Sequence, residues 1–181
     1  LQVNSLGYYT SGYNENPRAE LYIGFINERL RLLREAKIGL HVIDIRDYQV
    51  VTRILKDIKP DVVIHLSAIA HANRSNKNPF DTFDHSIRTL ENALDSARTR
   101  VEHFIYFSSS MVYGTFKKST VRENDNCDPI GIYASLKFSA EKLIKSYSNV
   151  FSINYTIVRP SALYGERCIS NRVIQVFLEN A

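Results

Sequence analysis

The 181-residue sequence has no tryptophan, one methionine, two cysteines and seven glycines. Each scarcity excludes something. Cys127 and Cys168 are too few for a disulfide framework and have no metal-ligand spacing, which points to a reducing, cytoplasmic setting and to no metal. No apolar run approaches the roughly 18 residues of a membrane span. No N-terminal stretch has the basic-then-apolar build of a signal peptide. Neither G-x-G-x-x-G nor G-x-x-x-x-G-K-[ST] occurs, and the closest candidates, Gly7 and Gly12, are five apart. The usual phosphate cradle at a first helix N-terminus is therefore not written in this stretch. G-x-S-x-G is also absent, which argues against a serine hydrolase. Residue 1 is leucine, the sole methionine is Met111, and residues 171–181 stop inside an apolar helical pattern. These features predict an internal piece of a longer chain, with any first strand and glycine loop upstream of Leu1. Such a piece is expected to be marginally stable, because its sheet would expose an apolar edge.

What is present is globular. Hydrophobic residues make up 44% and charged residues 23%, which excludes a disordered tail or a coiled coil. The net charge of +4 is mild, and the basic residues are scattered, with Lys117-Lys118 the only adjacent pair. A nucleic-acid partner is not expected from such a distribution.

Short apolar runs alternate with longer segments of helical period. Gly39–Asp44, Asp61–Leu66, His103–Phe107 and Asn154–Val158 read as strands. Their continuous apolar character predicts burial on both faces, the habit of parallel sheets. Helices are expected from the Asn16-Pro17 cap to about Ala36, from the Asp47 cap to about Ile58, from Pro79 to about Ala97, and from about Ile132 to Ser148. Strand and helix in alternation predict an α/β, doubly wound parallel sheet. Ligands bind such sheets beyond the carboxyl ends of the strands, so chemistry is sought just after each strand.

Tyr133 and Lys137 stand four apart on the last of these helices, which puts them on one face. An ammonium beside a phenol favours the phenolate, and a tyrosine so tuned can take a proton from an alcohol. Lysine also offers three donors to ribose hydroxyls. A second match to the spacing, Tyr113 and Lys117, contains Gly114 and reads as loop. Upstream, a buried strand runs into Ser108-Ser109-Ser110-Met111-Val112-Tyr113-Gly114, where a serine can hydrogen-bond the oxygen that the tyrosine deprotonates. His65, His71, His85 and His103 lack paired ligand spacing and read as structural or surface residues. Arg167, after the last strand, reads as either an anion-binding or a solvated residue. Tyr8, Tyr9 and Tyr13 read as loop packing.

Taken together, FSSSMVYG, YASLK and IVRPSALYG resemble the extended short-chain dehydrogenase/reductase superfamily, in its NAD-dependent sugar epimerase and dehydratase branch. DVVIHLSAIA and the DIRD of Asp44–Asp47 resemble further signatures of the same family, in the right order. The resemblance implies a Rossmann-like domain over residues 1–181, present as a fragment, with a C-terminal substrate domain largely absent. It implies NAD, with NADP left open, and a nucleotide-sugar substrate. Tyr133 would be the general base, Lys137 would hold the nicotinamide ribose, and Ser109 would be the catalytic serine. Asn4, Asp44 and Ile45 would lie on the adenosine side. Leu66, Ser67 and Ala68 would line the pyrophosphate-ribose stretch, and Phe107, Ser108, Pro160 and Leu163 would border the nicotinamide. Ser109, Ser110, Met111 and Arg167 would face the substrate. The helices 79–97 and 132–148 resemble those of a four-helix homodimer interface. Asn4 stands where the family usually has aspartate, Ser86 and Ala162 stand where it often has asparagine, and Asn92 matches.

Family dehydratases carry Asp-Glu directly after the catalytic serine or threonine. Here Ser110-Met111 follow Ser109, and neither side chain does acid-base work near pH 7. This favours hydride removal and return, as in an epimerase, over elimination. A reductase would use the same three residues, and a non-catalytic dinucleotide-binding module is the reading of a different class.

Overall fold

A computed structural model describes residues 19–69, 72–167 and 173–180. Asn4, the tyrosines 8, 9 and 13, the Asn16-Pro17 cap, His71 and Cys168 lie outside the described residues. The chain divides into two compact units, residues 1–43 with 162–181, and residues 44–161.

In the first unit, α1 spans Ala19–Glu35. It matches the expected helix and is laced on its surface by Arg31 with Glu28 and Glu35. Exposed pairs of this kind contribute little individually. One further helix of this unit spans Val173–Glu179.

The second unit carries the sheet. In chain order its elements are α2 (Tyr48–Ile58), β1 (Val62–His65), α3 (Ala72–Lys77), α4 (Pro79–Phe83), a π-helical turn (Asp84–Arg88), α5 (Thr89–Ala97), β2 (His103–Phe107), a 3-10 turn (Ser110–Tyr113), α6 (Ile132–Phe151) and β3 (Asn154–Val158). The three strands are parallel in the order β1-β2-β3, in the register Val63–Phe104–Tyr155. Each crossover is helical, as parallel neighbours require. Local chemistry sets the helix ends. The Asp47 carboxylate accepts from the backbone N–H groups of Gln49 and Val50. Asn78 caps the turn that Pro79 opens, accepting from Asp81 N–H.

The core lies between α5, α6 and one face of the sheet. Leu90, Leu94, Ala97, Phe104, Ala140 and Ile144 are buried there, with Tyr106 beside them. The apolar residues between Pro79 and Ala97 do not all turn to one side. Leu90 and Leu94 face the core, whereas Phe80 and Phe83 face outward.

Two expectations need correction. Residues 39–44 form no strand. A parallel strand exists only through a neighbour's N–H and C=O groups, and no described segment pairs with this one. Apolar pattern alone cannot supply the ladder. Burial on both sheet faces is also not seen, because Val62 and Ile64, on the face opposite Phe104, are about half exposed. Continuous apolar sequence reports what a strand can bury, and α5 and α6 cover one side.

Leu94→Ala removes a fully buried side chain from this core. We expect a loss of about 3 kcal/mol, within the roughly 2–5 kcal/mol range for such truncations, read from denaturant midpoints of the full-length protein. A loss below about 1 kcal/mol would mean that the α5–α6 core is not what holds the unit together.

Candidate active site

The carboxyl ends of β2 and β3 meet the buried face of α6. That face reads Ala134, Lys137, Ala140, Glu141 and Ile144, all buried, at helical spacing. Two of its members are ionisable. Lys137 is 6% exposed, and its Nζ donates to the Phe107 carbonyl at 2.6 Å. The ammonium lies 4.9 Å from the Tyr106 ring centroid and 6.0 Å from that of Tyr133. Burial lowers its pKa to about 8. Tyr133 is half-buried at the start of α6, one turn before Lys137. The pair that sequence spacing placed on one face is therefore together in the structure.

The serine run is sorted by extended backbone, in which successive side chains point to opposite sides. Ser108 turns inward and its hydroxyl donates to Glu141 Oε1 at 2.6 Å. Ser109 caps the 3-10 turn, its Oγ accepting from Met111 N–H at 3.2 Å. A hydroxyl that accepts there keeps its O–H to donate to an incoming oxygen. Ser110 N–H donates to the Pro160 carbonyl at 2.9 Å, joining this loop to the end of β3. Met111 is exposed. Gly114 closes the turn at φ +68, where an added Cβ would sit 2.0 Å from the Asp128 carbonyl. The second Tyr-Lys match is dispersed, since Tyr113 ends the 3-10 turn and Lys117 lies in the following loop.

Sequence reasoning missed the most buried polar group here. Glu141 is 0% exposed and accepts from Arg159 at Nε, 2.9 Å, and Nη2, 2.6 Å. Arg159 Nη1 donates to Tyr113 Oη and to the Glu123 carbonyl. The signal was available, because Glu141 follows Lys137 by four on the apolar face of α6.

At the end of β1, Leu66 is exposed, while Ser67 and Ala68 are half-buried. Asp44 and Ile45 form a braced turn. The Asp44 carboxylate accepts from Arg46, whose hydrogen bond holds its pKa below the usual range. Arg46 also reaches Asp84 at 3.1 Å, and Asn92 Nδ2 donates to the Ile45 carbonyl at 3.0 Å. Leu163 and Arg167 belong to the first unit. Leu163 is exposed, and Arg167 pairs with Glu166 while its carbonyl accepts from Arg29. No group of three metal-ligating side chains occurs among the described residues.

His65 is buried on β1, stacked near Phe104 and Tyr106, and its Nε2 has no hydrogen-bond partner. Burial, then the charge of Lys137, lowers its pKa to about 4.

The sequence matches the NAD dependent epimerase/dehydratase family over residues 10–181, and the chain belongs to that family. A human dTDP-D-glucose 4,6-dehydratase is 31% identical over 136 residues, 75% of this chain and 39% of its own length. The crystal structure of a Thermotoga maritima UDP-glucose 4-epimerase with UDP-glucose matches with TM-score 0.73 and 25% identity, over 77% of this chain and 47% of that one. A Brucella ovis UDP-glucose 4-epimerase in complex with NAD matches with TM-score 0.64 and 26% identity, over 66% and 37%. The chain spans about two fifths of the length of the curated relatives it matches. The family's cofactor is NAD. The residues present fit the part of that group that such a sheet holds at its strand ends, with a buried lysine beside a half-buried tyrosine and a braced acidic turn at Asp44.

The histidine generates a pH prediction. The folded state keeps His65 neutral down to about pH 4, whereas the unfolded chain takes up its proton near 6.5. Unfolded chains thus bind more protons across that window, and stability falls as pH drops from 6.5 to 4. In the full-length protein, His65→Phe is expected to shrink the drop in Tm between pH 7 and pH 4.5. An unchanged drop would show that His65 does not contribute.

Proposed function

We propose that this chain is the cofactor-binding part of a nucleotide-sugar epimerase, with the substrate domain on a following segment. The observation that carries this reading is Lys137 buried beside Tyr133, with Ser109 capping the adjoining loop. NAD, held at these strand ends, would supply hydride acceptance from and return to the sugar carbinol carbon. Tyr133 takes the hydroxyl proton at Oη and later gives it back to the opposite epimer. Ser109 Oγ donates to the same oxygen while it becomes a carbonyl. Lys137 favours the phenolate by its charge and offers its remaining donors to the ribose. Asp44 and Ile45 sit on the adenine side, Leu66, Ser67 and Ala68 along the pyrophosphate, and Phe107 and Pro160 near the nicotinamide. Ser110 and Met111 face the sugar.

Support for an epimerase over a dehydratase comes from Ser110 and Met111, which give elimination no acid or base. Net reduction by a related mechanism is the second reading, favoured by the same three residues. The free, half-buried Cys127 fits a cytoplasmic enzyme.

We also infer a homodimer through α4–α5 and α6. Phe83, Ile87, Leu136, Phe138 and Leu143 line a groove of about 580 Å³ between these helices. Phe80, 82% exposed, extends the apolar area. A contiguous exposed apolar surface of this kind marks an interaction site.

Tyr133→Phe in the full-length protein is expected to lower epimerase turnover by about 10²–10⁴-fold with NAD still bound, since proton transfer is lost and the ring is kept. Undiminished turnover would overturn the assignment. Steady net NADH consumption during turnover would favour the reductase. Phe83→Asp with Leu143→Glu should shift a dimer to monomer in sedimentation, and an unchanged dimer would place the interface elsewhere.

A further inference from the structure

Glu141 has no task in the chemistry above, yet it is the only fully buried carboxylate among the described residues. A buried carboxylate is costly unless charge and hydrogen bonds compensate it. Its compensation comes from two places far apart in sequence, Arg159 at the end of β3 and Ser108 at the end of β2. Lys137, one turn earlier, holds the Phe107 carbonyl. Two consecutive residues of the β2 end are thus pinned by two consecutive turns of α6. Ser108 N–H further donates to the Val158 carbonyl, and Ser110 N–H to the Pro160 carbonyl. Ser109 lies between pinned neighbours on both sides. Arg159 extends the hold to the other end of the 3-10 turn through Tyr113 Oη at 2.9 Å.

We propose that Glu141 is a positioning residue whose buried pair with Arg159 and hydrogen bond from Ser108 fix Ser109 against the helix that carries Tyr133 and Lys137. The proposal rests on the reading of Ser109 as the catalytic serine. Its mechanical content is separate: the loop 107–113 is rigid because a helix carboxylate holds it from behind.

The test is a double-mutant cycle in the full-length protein, with NAD bound and UDP-glucose as the probe. Glu141→Gln keeps the shape and removes the charge. We expect kcat to fall by about 30-fold, with KM and NAD affinity changed by less than about 3-fold, and the same substitution in a Ser109→Ala background to cost less than about 3-fold more. A merely structural role would lower activity equally in both backgrounds, and that additivity would overturn the proposal. Should Glu141→Gln not fold, Ser108→Ala takes its place, since it leaves the ion pair intact.

Amide hydrogen exchange gives a readout independent of turnover. Residues 107–113 should exchange at least about 10-fold faster in Ser108→Ala, with α5 unchanged. Unaltered exchange would overturn the hold itself. A parent inactive on UDP-glucose and on other nucleotide sugars would sink the epimerase reading and the catalytic half of this proposal, while exchange would still decide the mechanical half.

Discussion

The carboxyl ends of β2 and β3 depend on one constraint: α6 buries an ammonium and a carboxylate one turn apart on a single face. Neither group can be taken from water without partners. The apolar neighbours on that face, Ala134, Ala140 and Ile144, offer none. The partners must therefore come from whatever packs against α6, and these are the residues that follow the strands. Phe107 supplies a carbonyl, Ser108 a hydroxyl and Arg159 a guanidinium. The polar face of the helix thereby dictates where the two loops leave the sheet. An all-apolar α6 would pack as well on the core and would leave those loops free to choose among many turns. In this arrangement Lys137 has two tasks, because the bond that compensates its charge also fixes the strand end next to Tyr133.

What could be read from sequence divides along the range of the interaction involved. The Val62–His65, His103–Phe107 and Asn154–Val158 strands were legible because each is a short β-rich run. The cap at Asp47 was legible because capping acts within three residues, whereas the Asn78 cap before Pro79 is seen only in the structure. Tyr133 and Lys137 were legible because helical spacing alone places them together. Residues 39–44 were misread, since strand pairing is decided by a partner that the segment does not contain. Glu141 was passed over because its role lies in Arg159, 18 residues on, and Ser108, 33 residues back. The π-helical turn at Asp84–Arg88, inside an otherwise regular pattern, had no sequence signal of its own.

The serine run shows the same division at finer scale. FSSS offers three equivalent hydroxyls on paper. Extended backbone makes them inequivalent, because alternate side chains face opposite sides. Ser108 goes to the buried carboxylate, and Ser109 turns to cap the 3-10 turn. The resemblance picked Ser109 by its place in a motif. In the structure the neighbouring Ser108 hydroxyl is already occupied by its bond to Glu141.

The turn at Asp44 and Ile45 is held by the same logic from another direction. Arg46 bridges Asp44 and Asp84, and Asn92 of α5 takes the Ile45 carbonyl. Both of these segments at strand ends are thus tied by polar groups reaching from behind, not by apolar packing of their own. A loop at a strand's carboxyl end must keep one side open to a ligand, so it cannot bury itself in a core. Hydrogen bonds and charges reaching from behind are the means left to make it rigid. Such bonds are directional, and they fix a loop's register as well as its position. A site that must set a hydroxyl against a tyrosine needs that kind of hold, because errors of about 1 Å in placement are costly to catalysis.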